Sequence, residues 1–136
     1  MDATMRPAMS RLIRFATAPE QRRFWRALLA VLLVAITWLA LSPAPPKTIN
    51  TGWDKSNHAL AFAALAFTCV WAQWRQPRQW IWLALALLAY GMGIEVAQGF
   101  LPPREADAGD VLADGLGIAL GLLAAWPLTA IATRRR

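Results

Sequence analysis

Side chains capable of acid–base or ligand-binding chemistry recur in two stretches of this chain, residues 54–58 and 95–114, whose surroundings are strongly apolar. Ionisable groups are costly at membrane depth, so a chain that keeps several of them together usually uses them. We therefore take these residues as the candidate site. They are Asp54, Lys55, His58, Glu95, Gln98, Arg104, Asp107, Asp110 and Asp114.

Three pairs in this set have helical spacing, so the members of each pair can share one face of a helix. The pairs are Asp54 with His58, Glu95 with Gln98, and Asp110 with Asp114. An aspartate beside a histidine can orient the imidazole for acid–base catalysis, and a buried glutamate can serve as a second proton donor. The catalytic hypothesis therefore names His58, Glu95 and Asp54.

The remaining polar residues are predicted to bind a ligand, which is a phosphate if a metal ion is present and a cationic group if none is. The ligand-binding prediction comprises Lys55, Gln98, Arg104, Asp110 and Asp114. Lys55 and Arg104 can contact a phosphate, and helix amino-termini would add N–H donors. Because carboxylates repel phosphate, a divalent cation would have to bridge them, and the oxygens of Glu95, Asp110 and Asp114 are ligands that Mg²⁺ or Ca²⁺ prefers.

Each of these residues also has a structural interpretation. Asp54 and Asp110 are good helix N-caps. Lys55 and Arg104 can pair with carboxylates at the water boundary, where such pairs contribute little.

Glu95 could instead form a buried ion pair with His58 or Arg104, and this pair would only stabilise the fold. Asp107 and Glu105, in the loop, are the residues that a solvated, non-functional role fits best. These alternatives stay open at the level of the sequence.

Four long apolar runs must position these residues. The chain has 136 residues, of which 57% are hydrophobic and 16% charged, and a helix needs about 20 apolar residues to cross a bilayer. We predict spans near 24–41, 58–74, 80–100 and 111–131. A soluble bundle would need a polar stripe on each helix, and none is present. The predicted fold is all-α, a four-helix transmembrane bundle.

Charge asymmetry predicts the topology. Eleven of the 14 basic residues flank one side of the predicted spans, which the positive-inside rule assigns to the cytoplasm together with both termini. The domains are then a basic arm, 1–23, a membrane domain, 24–131, and a basic tail, 132–136. The basic residues flank spans and form no aromatic-interleaved patch, so nucleic acid is not a predicted partner.

Two further features concern processing and packing. The first span could be a cleaved signal peptide, but its length and Pro43 favour an uncleaved helix. Small residues recur at four-residue intervals, which favours close packing inside the bundle over a dimer face, although the oligomeric state stays open. These stripes are Gly117 and Gly121; Ala89, Gly93 and Ala97; and Ala64, Thr68 and Ala72. Cys69 is predicted to be a packing residue.

The ordered motifs resemble the VanZ-like family of small membrane proteins. The matching pieces are Asp54-Lys55-x-x-His58, Glu95-x-x-Gln98, Phe100-Leu101-Pro102-x-Arg104, Asp107, Asp110 and Asp114-x-x-Gly117, within residues 27–130. The family often has Asn where this chain has Asp114, so an amide role there becomes an ionisable one. The resemblance implies a link to glycopeptide, chiefly lipoglycopeptide, resistance and no settled activity.

Three functional hypotheses follow. The first is a multi-pass protein of the bacterial inner membrane whose outward-facing pocket binds or processes the phosphorylated head of an envelope lipid or cell-wall precursor. The second is a non-catalytic membrane protein that binds a lipid or protein partner and alters antibiotic access. The third, ion conduction through Glu95, is weakest because no charged residue continues the path toward the cytoplasm.

Overall fold

Four α-helices make up the computed structural model, which describes residues 18, 20–43, 54–73, 76–102 and 107–133. They are α1 (Gln21–Leu41), α2 (Asp54–Ala72), α3 (Trp80–Gln98) and α4 (Ala108–Thr133), with a 3₁₀ turn at Pro77–Gln79. These described ranges contain no strand, so the all-α prediction is confirmed. The predicted spans agree with the observed helices to within a few residues at each end.

Three of the helices are long and apolar enough to cross a membrane: Gln21–Leu41, Pro77–Gln98 and Ala108–Ala130. Helix α2 falls below that level of apolarity because its first two turns carry Lys55, Ser56, Asn57 and His58. The predicted span 58–74 is therefore observed as a helix of the bundle, and its crossing of the membrane is a proposal. The cytoplasmic orientation of both termini is likewise a proposal, which rests on the distribution of basic residues.

Close approach of α2 and α4 forms the centre of the bundle. A Cβ at Gly117 would collide with the backbone of Ala59, lying 2.9 Å from its Cα, and a Cβ at Gly121 would collide with the carbonyl oxygen of Ala63. Glycine at these positions lets the two backbones touch. The predicted packing role of this pair is confirmed, and it is intramolecular.

The stripe on α3 behaves differently. Ala89 and Gly93 are exposed, and a Cβ at Gly93 would meet no atom within 4 Å. The sequence prediction that this stripe packs inside the bundle is therefore wrong. Helix α3 instead buries the opposite face, including Leu83, Leu87 and Ile94, against the core.

Helix α1 attaches to the bundle through few polar contacts. The Thr37 and Tyr90 hydroxyls lie 2.7 Å apart, and Tyr90 donates to the Leu33 carbonyl at 3.3 Å. The Gln98 amide nitrogen donates to the Ala40 carbonyl at 3.0 Å. These bonds join α1 to α3.

Aromatic side chains cluster at the end of the bundle where α1 and α3 begin and α2 and α4 end. Trp25 packs against Phe67 and Trp71, and Trp80 packs edge to face on Trp126 with ring centroids 5.7 Å apart. We call this the aromatic end. Cys69 is buried nearby in the core, as predicted for a packing residue.

Candidate functional site

The first turns of α2 and α4 meet the last turns of α3 at one end of the bundle. We call this the polar end and define it by His58, Glu95, Gln98, Asp110 and Asp114. His58 is only slightly exposed, and the other four are buried, with Asp114 at 0% exposure. The structure thus brings together five of the predicted site residues from three helices.

His58 lies between two carboxylates of α4. Its Nδ1 is 2.9 Å from Asp114 Oδ1, within hydrogen-bond distance, and its Nε2 is 3.6 Å from Asp110 Oδ2. Asp114 therefore orients the imidazole, which is the role predicted for Asp54. Asp54 begins α2, but its side chain lies outside the described part of the structure. A pairing between helices cannot be read from spacing along one helix.

Asp114 fits against α3 because the facing residue, Gly91, is a glycine. A Cβ at Gly91 would collide with Asp114 Oδ2 and would lie 3.1 Å from the Phe62 ring. Asp114 Oδ2 is buried and has no hydrogen-bond partner among the described residues. Gly91 is thus a site residue that the sequence analysis missed, because a single glycine in an apolar run has no distinguishing signal.

Glu95 and Gln98 each use one polar atom and leave the other without a partner. Glu95 Oε2 accepts the Asp107 backbone N–H at 2.8 Å, while Gln98 Nε2 donates to Ala40. Within the described part of the chain, Glu95 Oε1 and Gln98 Oε1 are buried with no hydrogen-bond partner. Most buried polar atoms in proteins are paired, so such atoms require an explanation.

Asp107 is the N-cap of α4. Its carboxylate accepts the Gly109 N–H at 2.7 Å, and its carbonyl accepts the Asp110 N–H at 2.9 Å. Asp107 also pairs with Lys55, whose Nζ lies 3.2 Å from Asp110 Oδ1. The Asp107 side chain is exposed, as expected for a solvated residue, but its cap and its ion pair with Lys55 place it at the rim of the candidate site. Asp110 is not the cap because the helix begins earlier, at Ala108.

Electrostatics follow from these contacts. The Lys55 ammonium, and secondly the Gly109 N–H, hold the pKa of the exposed Asp107 carboxyl below its usual value. Because Asp107 already occupies the first amides of α4, that helix terminus does not offer them to a phosphate. The predicted helix-terminus contribution to anion binding is thereby reduced at α4. Arg104 and Glu105 lie outside the described residues.

A possible metal-binding group lies in the same place. His58, Glu95 and Asp110 each offer one ligand atom, and these three atoms lie within 4.8 Å of one another. The sequence-based metal set was Glu95, Asp110 and Asp114. The geometry adds His58 to this group, while Asp114 contacts the other imidazole nitrogen.

Comparison with known proteins identifies the family of this chain. The family model of VanZ/LLP1 matches residues 45–131, about two thirds of the chain. The chain belongs to the VanZ/LLP1 family. The match includes α2, α3 and nearly all of α4, and with them every residue of the polar end. Helix α1 lies outside the matched range, although Gln98 bonds to its last turn.

A yeast protein is similar to this chain. "Uncharacterized protein C11E3.10" of Schizosaccharomyces pombe is 33% identical over 99 residues, which cover 71% of this chain and 59% of the relative. This chain therefore spans about three fifths of the length of that protein. No solved structure matches the chain.

Proposed function

We propose that this VanZ/LLP1 protein binds the phosphorylated head group of a membrane lipid at its polar end. The observation that carries the proposal is the set of buried oxygens without partners, on Glu95, Gln98 and Asp114. A buried polar atom left unpaired costs about 1–3 kcal/mol. Three such atoms at one end of the bundle are a cost that binding of a ligand would offset.

A lipid is the class of ligand that fits the position of these atoms. The polar end lies at the ends of helices that are long enough to cross a bilayer, which is the depth of lipid head groups. Lys55 is partly exposed at the rim, where its ammonium already pairs with Asp107 and Asp110. The acidic groups beneath it would repel phosphate, so we include a bound cation in the proposal.

The charge pattern extends the proposal to location. The positive-inside rule places the polar end on the non-cytoplasmic face, with α2 as a fourth span and both termini cytoplasmic. In a bacterium this places the site on the outer face of the inner membrane, where envelope lipids and lipid-linked wall precursors are found. A role in glycopeptide or lipoglycopeptide resistance belongs to this proposal. The yeast relative favours a head group that occurs in both bacterial and yeast membranes.

Processing of the head group is an extension of the same proposal. His58, oriented by Asp114 and facing Asp110, is arranged to transfer a proton to or from a bound ligand. His58→Ala would then abolish turnover while leaving the protein folded.

The competing interpretation is a structural network without a ligand. Hydrogen bonds of the polar end join all four helices, through His58 to Asp114, Glu95 to Asp107, and Gln98 to Ala40. A network built only for stability would satisfy its own atoms. The three unpaired oxygens favour the ligand-binding alternative.

Lipid binding can be tested with a pair of lipids that differ only in the phosphate. The purified protein is incubated with phosphatidic acid or diacylglycerol, and with polyprenyl phosphate or polyprenol, and bound lipid is measured by native mass spectrometry. We expect the wild type to retain at least one phosphorylated member of these pairs and neither unphosphorylated one. Glu95→Gln should lose that preference.

The matched control is Glu20→Gln, because Glu20 is exposed and makes no side-chain cap bond at α1. This variant should bind as the wild type does. Equal retention of phosphorylated and unphosphorylated lipids by the wild type, or an unchanged preference in Glu95→Gln, would contradict the proposal.

A further inference from the structure

The polar end contains a group of side chains with the composition of a metal site. His58 from α2, Glu95 from α3 and Asp110 from α4 each place a ligand atom within 4.8 Å of the others. One imidazole nitrogen and two carboxylate oxygens are common ligands of divalent transition metals. The group is not merely acidic, because its histidine is fixed in place.

The spacing between two of these atoms fits shared coordination better than a hydrogen bond. His58 Nε2 and Asp110 Oδ2 are 3.6 Å apart, which is too long for a hydrogen bond. Two ligands at about 2.1 Å from a tetrahedral metal are separated by about 3.4 Å. A small adjustment of either side chain would therefore allow both to coordinate one ion.

Each of these three side chains also has its second polar atom in contact with a neighbouring residue. Asp114 contacts His58 Nδ1, Lys55 contacts Asp110 Oδ1, and the Asp107 N–H bonds to Glu95 Oε2. Metal ligands in proteins are typically fixed in this way by a second layer of hydrogen bonds. The remaining Glu95 oxygen, Oε1, is buried without a hydrogen-bond partner in the described structure, on a side chain only 5% exposed.

The local charge favours a cation. Glu95, Asp110 and Asp114 are three buried carboxylates, and Lys55 pairs with Asp110 but also with the exposed Asp107. With these carboxylates ionised and His58 neutral, at least two negative charges remain. A divalent cation would balance them, and uncompensated buried charge is strongly unfavourable.

We infer that His58, Glu95 and Asp110 bind a divalent transition-metal ion, of the class of Zn²⁺ or Mn²⁺, with Asp114 positioning the histidine. The imidazole ligand favours these ions over the Mg²⁺ or Ca²⁺ suggested by the carboxylates alone. Three protein ligands leave at least one coordination position open. The inference deepens the proposed function, on which its use of that position for a lipid phosphate rests.

The chain offers an unambiguous spectroscopic test because His58 is its only histidine. The full-length protein, with any histidine tag removed, is stripped with a chelator and titrated with Zn²⁺ and separately with Mn²⁺. We expect one ion per chain. Electron spin-echo spectra of the Mn²⁺ form should show coupling to an imidazole nitrogen, which only His58 can supply.

Variants then assign the other ligands. Glu95→Gln and Asp110→Asn should lose most of the affinity, whereas Asp114→Asn, which keeps an acceptor for His58, should weaken binding by about 10-fold. Glu20→Gln should bind as the wild type does. If a ligand variant does not fold, the wild-type spin-echo spectrum still decides the question.

Two results would overturn the inference: a wild type that binds no stoichiometric ion, or a bound Mn²⁺ without imidazole coupling. Lipid selection by the metal-free protein would leave the proposed function standing while the metal site fails. Stoichiometric, His58-dependent metal binding without any preference for phosphorylated lipids would support the metal site and contradict the proposed function.

Discussion

The two ends of this bundle are held together by different means. At the aromatic end, Trp25, Phe67, Trp71, Trp80 and Trp126 pack ring against ring. At the polar end, charged and amide side chains form hydrogen bonds between helices, yet three of their oxygens have no partner among the described residues. Aromatic packing stabilises the fold without a ligand, whereas buried oxygens without partners lower the stability of the fold.

This difference indicates where function lies. Aromatic packing is favourable in itself and requires no further component. Buried carboxylates become favourable only with a partner of opposite charge. The concentration of such groups at one end supports the proposal that the ligand binds at the polar end.

The largest expected effect comes from the glycine that joins α2 to α4. Gly117→Ala would push a methyl group into the Ala59 backbone, adjacent to His58, and neither backbone can move easily. We expect a loss of about 3 kcal/mol in the free energy of unfolding. Lipid binding at the polar end should fall with it, as measured by thermal unfolding and lipid retention.

Gly93→Ala provides the matched control. The same methyl group at Gly93 meets no atom within 4 Å, and alanine is the better helix former by about 1 kcal/mol. We expect equal or greater stability and unchanged binding. Equal destabilisation by both substitutions would contradict the packing described for α2 and α4.

A smaller effect is expected from the exposed rim of the polar end. The Lys55 ammonium lowers the pKa of Asp107, so the pair stabilises the folded state above the pKa of the unfolded chain. That contribution is lost as pH falls through the lower, folded-state pKa, below about pH 4. The unfolding temperature of Asp107→Asn, which keeps a cap side chain, should lie slightly below wild type at pH 7.

At pH values below both pKa values of Asp107, the two proteins should unfold at the same temperature, because the carboxyl is then protonated in both states. A difference of the same size at pH 7 and in strong acid would show that the charge of Asp107 is not what stabilises this end.

Helix positions were predictable because they are encoded locally. Apolar runs end at prolines and charged residues, so the predicted 24–41 and 80–100 correspond closely to Gln21–Leu41 and Trp80–Gln98. The membership of the site was also largely predictable, because ionisable residues are rare within these runs. Glu95 and His58 stand out for that reason alone.

Pairings between helices were not predictable because they depend on which helices are neighbours. His58 contacts Asp114 because Gly117 and Gly121 bring α4 against α2, and no spacing along α2 reveals this. The same limit explains why the small residues of α3 were assigned to the wrong face. The N-cap role of Asp107 had a local signal, an aspartate just before a helical run, that was outweighed by its position in a polar loop.

The most direct test of whether the polar end is a ligand site is the stability of ligand-free Glu95→Gln, measured beside Glu20→Gln. Glutamine keeps an acceptor for the Asp107 N–H and removes a buried charge. We predict that its unfolding temperature equals or exceeds that of the wild type, while preference for phosphorylated lipid is lost. A loss of about 3–5 kcal/mol, as expected when a buried structural ion pair is broken, would contradict the account.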